Sequence, residues 1–292
     1  MIACIMVLYN PNENYLQNAI NSILPLVDQL ILVDNSNFIN KVEQNTKVHY
    51  IPLRKNLGIA KAQNIGFNFI NENLNQIKYI VFSDQDSVVR DNVVLELVNG
   101  FEFLYNKNFK VGIVGTRAIN ERNNKRYKSN AKELKFYSKE ELDFSTDITE
   151  VVSVRSSVSL ISVDVFREIG GFDEDLFIDG VDHEWCWRAA FSGKYKSFII
   201  ENAIIDHNLG EGDKTIGFYR FSFPSSIRLY YQYRNYLFLI RRNYVPKHWK
   251  FKHFFKYFFK FFYFSLIHEN KKQNFYNILR GIKDGLIIKV NK

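Results

Sequence analysis

Tyr79-Ile80-Val81-Phe82-Ser83-Asp84-Gln85-Asp86-Ser87 is the stretch on which the reading of this chain turns. Its four leading apolar residues show no polar alternation, as in a strand buried on both faces. They stop abruptly in Ser, Asp and Gln, residue types that suit a turn. The same design recurs upstream. Ile2–Leu8 is a continuous apolar run ending in Tyr9-Asn10-Pro11, and residues 29–33 form another ending in Asp34-Asn35-Ser36. Residues 48–51 make a further short strand. Between the runs lie segments of helical spacing, at residues 14–24, 58–69 and 91–105. Strands alternating with helices predict an α/β fold with a largely parallel sheet flanked by helices. The polar clusters then lie at the carboxyl ends of the strands, where open α/β sheets bind ligands.

The 292 residues suit one large α/β domain, or one domain with an appendage. With 46% hydrophobic and 24% charged residues the chain has the apolar content for a core, so it is not disordered as a whole. The net charge of +8 is unevenly placed: residues 1–240 hold 26 Lys+Arg against 29 Asp+Glu, whereas residues 241–292 hold 13 Lys+Arg against Glu269 and Asp284 alone. A slightly acidic body with one basic tail is not a uniformly basic nucleic-acid binder, and no nucleic-acid partner is expected. Cys4 and Cys186 form no CxxC pair and supply no disulfide framework, which points to a reducing cytoplasm. The apolar start lacks a basic flank and meets Asn10-Pro11 at once, so it reads as a buried strand and not a signal peptide. No uncharged apolar run of about 18 residues announces a transmembrane helix. No GxGxxG follows the first strand and no GxxxxGK[ST] occurs, which removes the usual support for dinucleotide binding and P-loop chemistry.

Further along, residues 111–116 read as a strand and the polar residues 117–150 as a loop or mobile excursion. Strand character returns over 151–163, Gly170-Gly171-Phe172-Asp173 is a turn, and 181–191 is helical. The expected division is a domain over residues 1–215 and a helical, aromatic, basic extension over 216–292.

Four clusters and one histidine carry possible chemistry. Asp84 and Asp86, two apart on a turn, can both point at one divalent cation, and oxygen ligands suit Mg²⁺ or Mn²⁺. A solvated turn uses the same residues. Asp34 can accept hydrogen bonds from a nucleobase or ribose, or close an Asx-turn. In the segment from Asn56 to Gly66, the small residues Gly58, Ala60 and Ala62 let a helix start approach a diphosphate, with Arg54 and Lys55 adding charge. Close packing of helix on sheet explains these residues equally. In the segment from Phe177 to Arg188, Asp182 opens a helix, where a carboxylate facing a cleft serves as a general base, or merely as an N-cap. Cys186 reads as a small buried hydrophobe. His207 either completes a metal site centred on Asp86 or is structural.

In this order and spacing the clusters resemble the inverting glycosyltransferases of family two, which have the GT-A fold with a Rossmann-like sheet. The resemblance spans roughly residues 1–245. Asp84-Gln85-Asp86-Ser87, the 177–188 stretch and Tyr231-Gln232-Tyr233-Arg234-Asn235 look like the bacterial rhamnosyltransferase branch, whose members commonly use dTDP-L-rhamnose to build surface polysaccharides of the cell envelope. The resemblance implies a nucleotide-sugar half over 1–110 and an acceptor half over 111–215. It implies that Tyr9, Asn10 and Asp34 line the nucleotide pocket, with Asn56, Gly58 and Asn64 near the donor and Arg234 approaching the diphosphate. Asp86 would be the main metal contact, Asp84 would touch metal or sugar, and His207 would add a ligand to Mn²⁺ or Mg²⁺. Asp182 occupies the catalytic-base position; Glu184 would support the acceptor or the base, with Asp179 and Trp185 on the same acceptor side. One departure is Ser157-Val158-Ser159, where the family often has Ser-Gly-Ser; Val158 is expected to narrow the pocket.

The implied chemistry is single displacement. A cation neutralises the diphosphate, and Asp182 takes the proton of an acceptor hydroxyl as it attacks the anomeric carbon. UDP-galactose, UDP-glucose and UDP-N-acetylglucosamine are alternative donors. A nucleotidyltransferase would need a Gly-rich basic loop after the first strand, and Tyr9-Asn10-Pro11-Asn12 is not one. A non-catalytic sugar-binding or membrane scaffold protein has no need of Asp84, Asp86, Asp182 and His207 together.

The tail contains Lys252, Lys256 and Lys260, one stripe of a helix, among phenylalanines. A helix in a membrane interface has such a composition, and anionic lipid would attract the basic residues. This predicts a cytoplasmic enzyme held on the inner face of the plasma membrane through residues 247–264, acting on a lipid-linked saccharide. A homodimer through the C-terminal helices is the alternative.

Overall fold

A computed structural model of the chain describes residues 1–119, 131–206, 213–216, 219–222 and 224–288. It comprises two compact units, Met1–Phe177 with Val181–His207, and Ile178–Gly180 with Asn208–Lys292.

The first unit begins with β1 (Ile2–Leu8), α1 (Glu13–Ile23), β2 (Gln29–Asp34), β3 (Val48–Pro52), α2 (Ile59–Asn73), β4 (Tyr79–Asp84) and α3 (Val93–Asn106). It continues through β5 (Val111–Ile119), β6 (Glu133–Tyr137), α4 (Lys139–Leu142), β7 (Ile148–Val151), β8 (Ser159–Ser162), α5 (Val163–Ile169), α6 (Val181–Gly193) and β9 (Lys196–Asp206). Among the described residues, nine strands make one sheet in the order β3-β2-β1-β4-β8-β5-β9-β7-β6. The first four are parallel, while β8 runs antiparallel to both its neighbours. The apolar runs of β1, β2 and β4 are buried almost throughout, as strands covered on both faces must be. Helix α1 starts where Asn12 accepts from the amides of Asn14 and Tyr15, and it buries Leu16, Ala19, Ile20 and Ile23. Helix α2 lies close on the sheet because Gly66 has no side chain: a Cβ there would stand 2.8 Å from Ile5 Cγ2.

The register aligns the strand ends. Leu8 pairs with Asp34 and Val7 with Asp84, so the turns after β1, β2 and β4 leave the sheet along one edge. Strand β8 approaches β4 from the opposite direction, with Phe82 against Ser159. The residues just before β8 therefore reach the end of β4.

The described residues of 117–150 are not a loop. They extend β5 and supply β6, α4 and β7 at the far side of the sheet; residues 120–130 lie outside the described ones. Charge does not prevent this, because it is paired. Buried Arg117 donates to Glu201 on β9, at 2.9 Å from Nε, and to Glu133 on β6 at 3.2 Å, while Thr149 Oγ1 donates to the same Glu201. Strand β6 is mostly exposed, as an edge strand can be. The expected strand over 151–163 shrinks to β8 and is followed directly by α5.

The second unit holds a hairpin, β10 (Asp213–Ile216) and β11 (Tyr219–Ser222), which the sequence reading did not anticipate. It also holds α7 (Ser226–Leu239), α8 (Lys247–Phe262), a π-helical turn at Tyr263–Ile267, and α9 (Lys271–Ile287). Leu229, Tyr233, Phe264 and Ile278 form its core. Helices α7 and α9 touch closely at Gly285, where a Cβ would lie 2.8 Å from the Arg234 carbonyl oxygen. Among the described residues no helix is long and apolar enough to cross a membrane.

Candidate active site

The site is built where β1, β2 and β4 end. Gln85, between the two aspartates, clamps the first turn: its side chain accepts from the Tyr9 amide at 2.7 Å and donates to the Tyr9 carbonyl at 3.3 Å. Tyr9 itself is exposed, and Asn10 has a left-handed backbone with its amide donating to Ser36 Oγ at 2.8 Å. The turns after β1, β2 and β4 are thus tied together by side chains of one another.

Asp84 is half-buried and Asp86 exposed. Burial pushes the Asp84 carboxyl above its ordinary range, and the Asp86 and Asp182 carboxylates push it further. A hydrogen bond from Ser157 and the nearby Arg155 guanidinium act in the opposite sense. Three carboxylates therefore converge, with one loop, 155–157, between them. Asp182 stands in the first turn of α6 and accepts from the His183 amide at 2.9 Å and the Ser156 amide at 3.2 Å. Its carboxylate is oriented but remains partly exposed. Ser87 Oγ lies 3.2 Å from Ser157 Oγ, closing the loop onto the aspartate turn. Among the described residues no three His, Cys, Asp or Glu side chains gather tightly enough to hold a metal unaided. His207 lies outside the described residues.

Several sequence-predicted residues face inward instead. Asp34 is buried, and its carboxylate accepts from the Tyr50 hydroxyl, from the Asn40 side chain at 2.6 Å and from the Ser36 amide at 3.0 Å. Burial alone would raise its pKa, but these hydrogen bonds outweigh it and hold the carboxyl below its ordinary range. It shapes the site wall. An open hollow beside its partners is lined by Ile39, Asn40, Tyr50 and Pro52. Asn56 accepts from Asn35 at 2.9 Å and from the Gly58 amide at 3.0 Å, so it braces the loop that leads into α2. Gly58 has φ +87°, and a Cβ there would lie 2.7 Å from the Phe177 carbonyl oxygen. That oxygen also accepts from the Ile59 amide at 2.7 Å, so the close approach at the start of α2 is made by the chain itself. Asn64 holds the amide and carbonyl of Phe172, at 2.8 and 2.9 Å, and Glu174 at 3.1 Å.

The acceptor-side expectations change in the same way. Glu184 is fully buried and bonded to Arg188 at 2.9 Å. Arg188 also donates to the carbonyls of Ile169 and Gly171, each at 2.6 Å, so the pair fastens α6 to the turn before it. Trp185 is buried against Phe166 and Phe172, and its indole N–H donates to the Gly170 carbonyl at 2.9 Å. Both side chains are buried and fasten the helix that carries Asp182 to the turn before it. Asp179 belongs to the second unit, where Arg228 grips it at 2.7 and 3.0 Å. Arg234 is in that unit too, bonded to Asn235 at 2.9 Å and lying over the Tyr231 ring. Val158 is fully buried with φ +50°, so it does not narrow an open pocket. Glycine takes that backbone freely, whereas a β-branched residue holds it only under strain.

A family model described as glycosyl transferase family 2 matches residues 3–170, and a curated relative is 33% identical over 256 residues. This chain belongs to glycosyltransferase family 2. The relative is a dTDP-rhamnosyl transferase, RfbF, of Shigella flexneri, and the match covers 84% of this chain and 81% of that protein. Two solved structures share the GT-A type of fold. One is GalNAc-T7 with UDP, GalNAc and Mn²⁺: TM-score 0.53, 15% identity, covering 70% of this chain and 43% of that one. The other is S. aureus TarS 1-349: TM-score 0.52, 12% identity, covering 98% of this chain and 80% of that one. As a family 2 glycosyltransferase the protein is an enzyme, and a nucleotide-sugar donor and a saccharide acceptor follow from that membership.

Within this glycosyltransferase, sequence reasoning missed Gln85, Arg155, Ser156, Ser157 and Arg188. Gln85 was visible between the two aspartates. The 155–157 loop was not, because its place depends on the antiparallel entry of β8, which no local pattern encodes.

Proposed function

We propose that the enzyme transfers L-rhamnose from dTDP-L-rhamnose to a saccharide hydroxyl, with inversion, in the synthesis of bacterial surface polysaccharide. The observation that carries the mechanism is the convergence of Asp182 with Asp84 and Asp86 across the 155–157 loop. The donor rests on the similarity to the Shigella flexneri protein.

Asp182 is the general base. Held by two backbone amides, it accepts the acceptor hydroxyl proton as that oxygen bonds to the anomeric carbon. The bond from that carbon to the diphosphate oxygen breaks on the opposite face, and dTDP leaves. Single displacement inverts configuration and needs no nucleophilic side chain, so buried Cys186 takes no part. Asp86 and Asp84 fit a divalent cation, Mn²⁺ or Mg²⁺: they are hard oxygen donors with an excess of crowded negative charge. Two protein carboxylates leave room for water and diphosphate oxygens, and His207 is the proposed third protein ligand. The bound cation supplies Lewis-acid neutralisation of the diphosphate. Tyr9, Asn10 and the wall shaped by Asp34 receive the nucleoside, and Arg234 is proposed to approach the diphosphate.

The acceptor is proposed to be lipid-linked, and the protein to sit peripherally on the cytoplasmic face of the plasma membrane. Support comes from α8, which has no buried residue. Phe251 and Phe259 are 68% and 67% exposed, and Leu266 and Ile267 in the following turn 64% and 72%. The basic tail surrounds this apolar face with positive charge. The lysine stripe is not all outward: Lys260 donates to Gln232 at 2.8 Å, and burial, with Lys256 nearby, brings its amine down to about 8.

A thermal-shift panel of nucleotide sugars with Mn²⁺ and Mg²⁺ tests the donor. The largest stabilisation is expected from dTDP-L-rhamnose; a preference for a UDP-sugar displaces the reading.

A further inference from the structure

We infer that Arg155 is a donor-binding residue whose guanidinium holds the diphosphate of the sugar nucleotide and the charge that grows on it as the sugar departs. The inference rests on the transferase reading above and adds a residue that the acidic motifs do not contain.

Position comes first. Strand β8 pairs with β4 so that Phe82 faces Ser159, which brings the chain just before β8 to the turn carrying Asp84 and Asp86. Consecutive residues of that chain meet both ends of the reaction: the Ser156 amide holds Asp182 at 3.2 Å, and the Ser157 hydroxyl lies 3.2 Å from Ser87 Oγ on the turn that carries Asp84 and Asp86. Arg155 is the next residue back, exposed, and close enough to Asp84 to feel its charge. The loop has a fixed path at its far end, where Val158 is fully buried in a left-handed conformation that only surrounding packing can hold.

Chemistry comes second. An arginine beside three carboxylates on an ordinary surface pairs with one of them. Here, among the described residues, no side chain or carbonyl accepts a hydrogen bond from Arg155, while Asp182 accepts from the Ser156 amide that follows it. Its planar fork of donors is open to a ligand, and it matches phosphate oxygens two at a time. A diphosphate leaving group gains negative charge as the glycosidic bond breaks, and a guanidinium next to the proposed cation site stabilises that charge.

Calorimetry of dTDP and of thymidine with Mn²⁺, on wild type, Arg155→Ala and Arg155→Lys, tests this, together with kcat and KM for transfer. Arg155→Ala is expected to weaken dTDP about ten-fold or more, to leave thymidine unchanged, and to lower kcat. Arg155→Lys should restore part of the affinity, and the exposed position should leave the melting temperature unchanged. Unchanged dTDP affinity, or a loss confined to the acceptor KM, overturns the inference while leaving the transferase reading intact. Wild-type protein that binds no dTDP and transfers no sugar overturns both.

Discussion

The backbone amide of Ser156 holds Oδ2 of Asp182 at 3.2 Å, and the neighbouring Ser157 hydroxyl lies 3.2 Å from Ser87 Oγ, beside Asp84. One short loop thereby sets the proposed base against the proposed cation site. Removing the Ser157 hydroxyl should leave Arg155 alone to oppose burial and two like charges at Asp84, so its carboxyl should ionise less readily. Ser157→Ala is expected to raise the Mn²⁺ concentration for half-maximal activity about ten-fold, as loss of a group that supports a metal-binding carboxylate does. A Mn²⁺ titration of activity checks it, with Ser157→Thr expected to stay near wild type.

Glu184 was expected at the acceptor and lies instead inside the protein, bonded to Arg188. Glu184→Ala leaves that guanidinium without its carboxylate, and should cost about 3 kcal/mol of stability. Urea denaturation measures the loss. The acceptor KM of the folded fraction should not change; a raised KM at unchanged stability would restore the acceptor role.

How much could be read beforehand depended on how local the signal was. The strands Ile2–Leu8 and Tyr79–Asp84 announced themselves because burial on both faces needs an unbroken apolar run. The placement of Asp84 at a strand end and Asp182 in a first helical turn was legible because sequence neighbours alone fix such positions. Strands β6 and β7 were not, since Arg117, Glu133 and Glu201 looked like surface charge until pairing between distant strands brought them together. Asn56, Asn64 and Asp34 were assigned to the donor because the family resemblance placed them there. Their partners are loop backbone and side chains, which only the fold reveals.

Asp34 gives a pH dependence of known sign. Its folded carboxyl sits below the ordinary value of 3.8, so it contributes stability above that value and loses it as pH falls through the lower, folded one. Tyr50→Phe removes one of the hydrogen bonds responsible. The variant should be about 1–2 kcal/mol less stable at pH 7, and the difference should shrink on acidification through the carboxyl range. Urea midpoints of both proteins at several pH values measure it.

The exposed phenylalanines of α8 should matter for vesicles and not for folding. Phe251→Ser with Phe259→Ser is expected to reduce flotation with anionic phosphatidylglycerol vesicles about ten-fold or more at unchanged melting temperature. Flotation that persists contradicts the membrane assignment. A wild-type dimer that dissociates in the variant, with no vesicle binding in either, would assign this face to self-association.

The central claim is that Asp182 removes the acceptor proton while Asp84 and Asp86 serve the donor. Asp182→Asn keeps the shape and side-chain oxygen at that position but removes the base. The most direct measurement is dTDP affinity and transfer rate from dTDP-L-rhamnose in the same preparation of this variant. The account predicts donor-side binding within about two-fold of wild type and transfer reduced by about a thousand-fold. Full transfer activity in Asp182→Asn would contradict it.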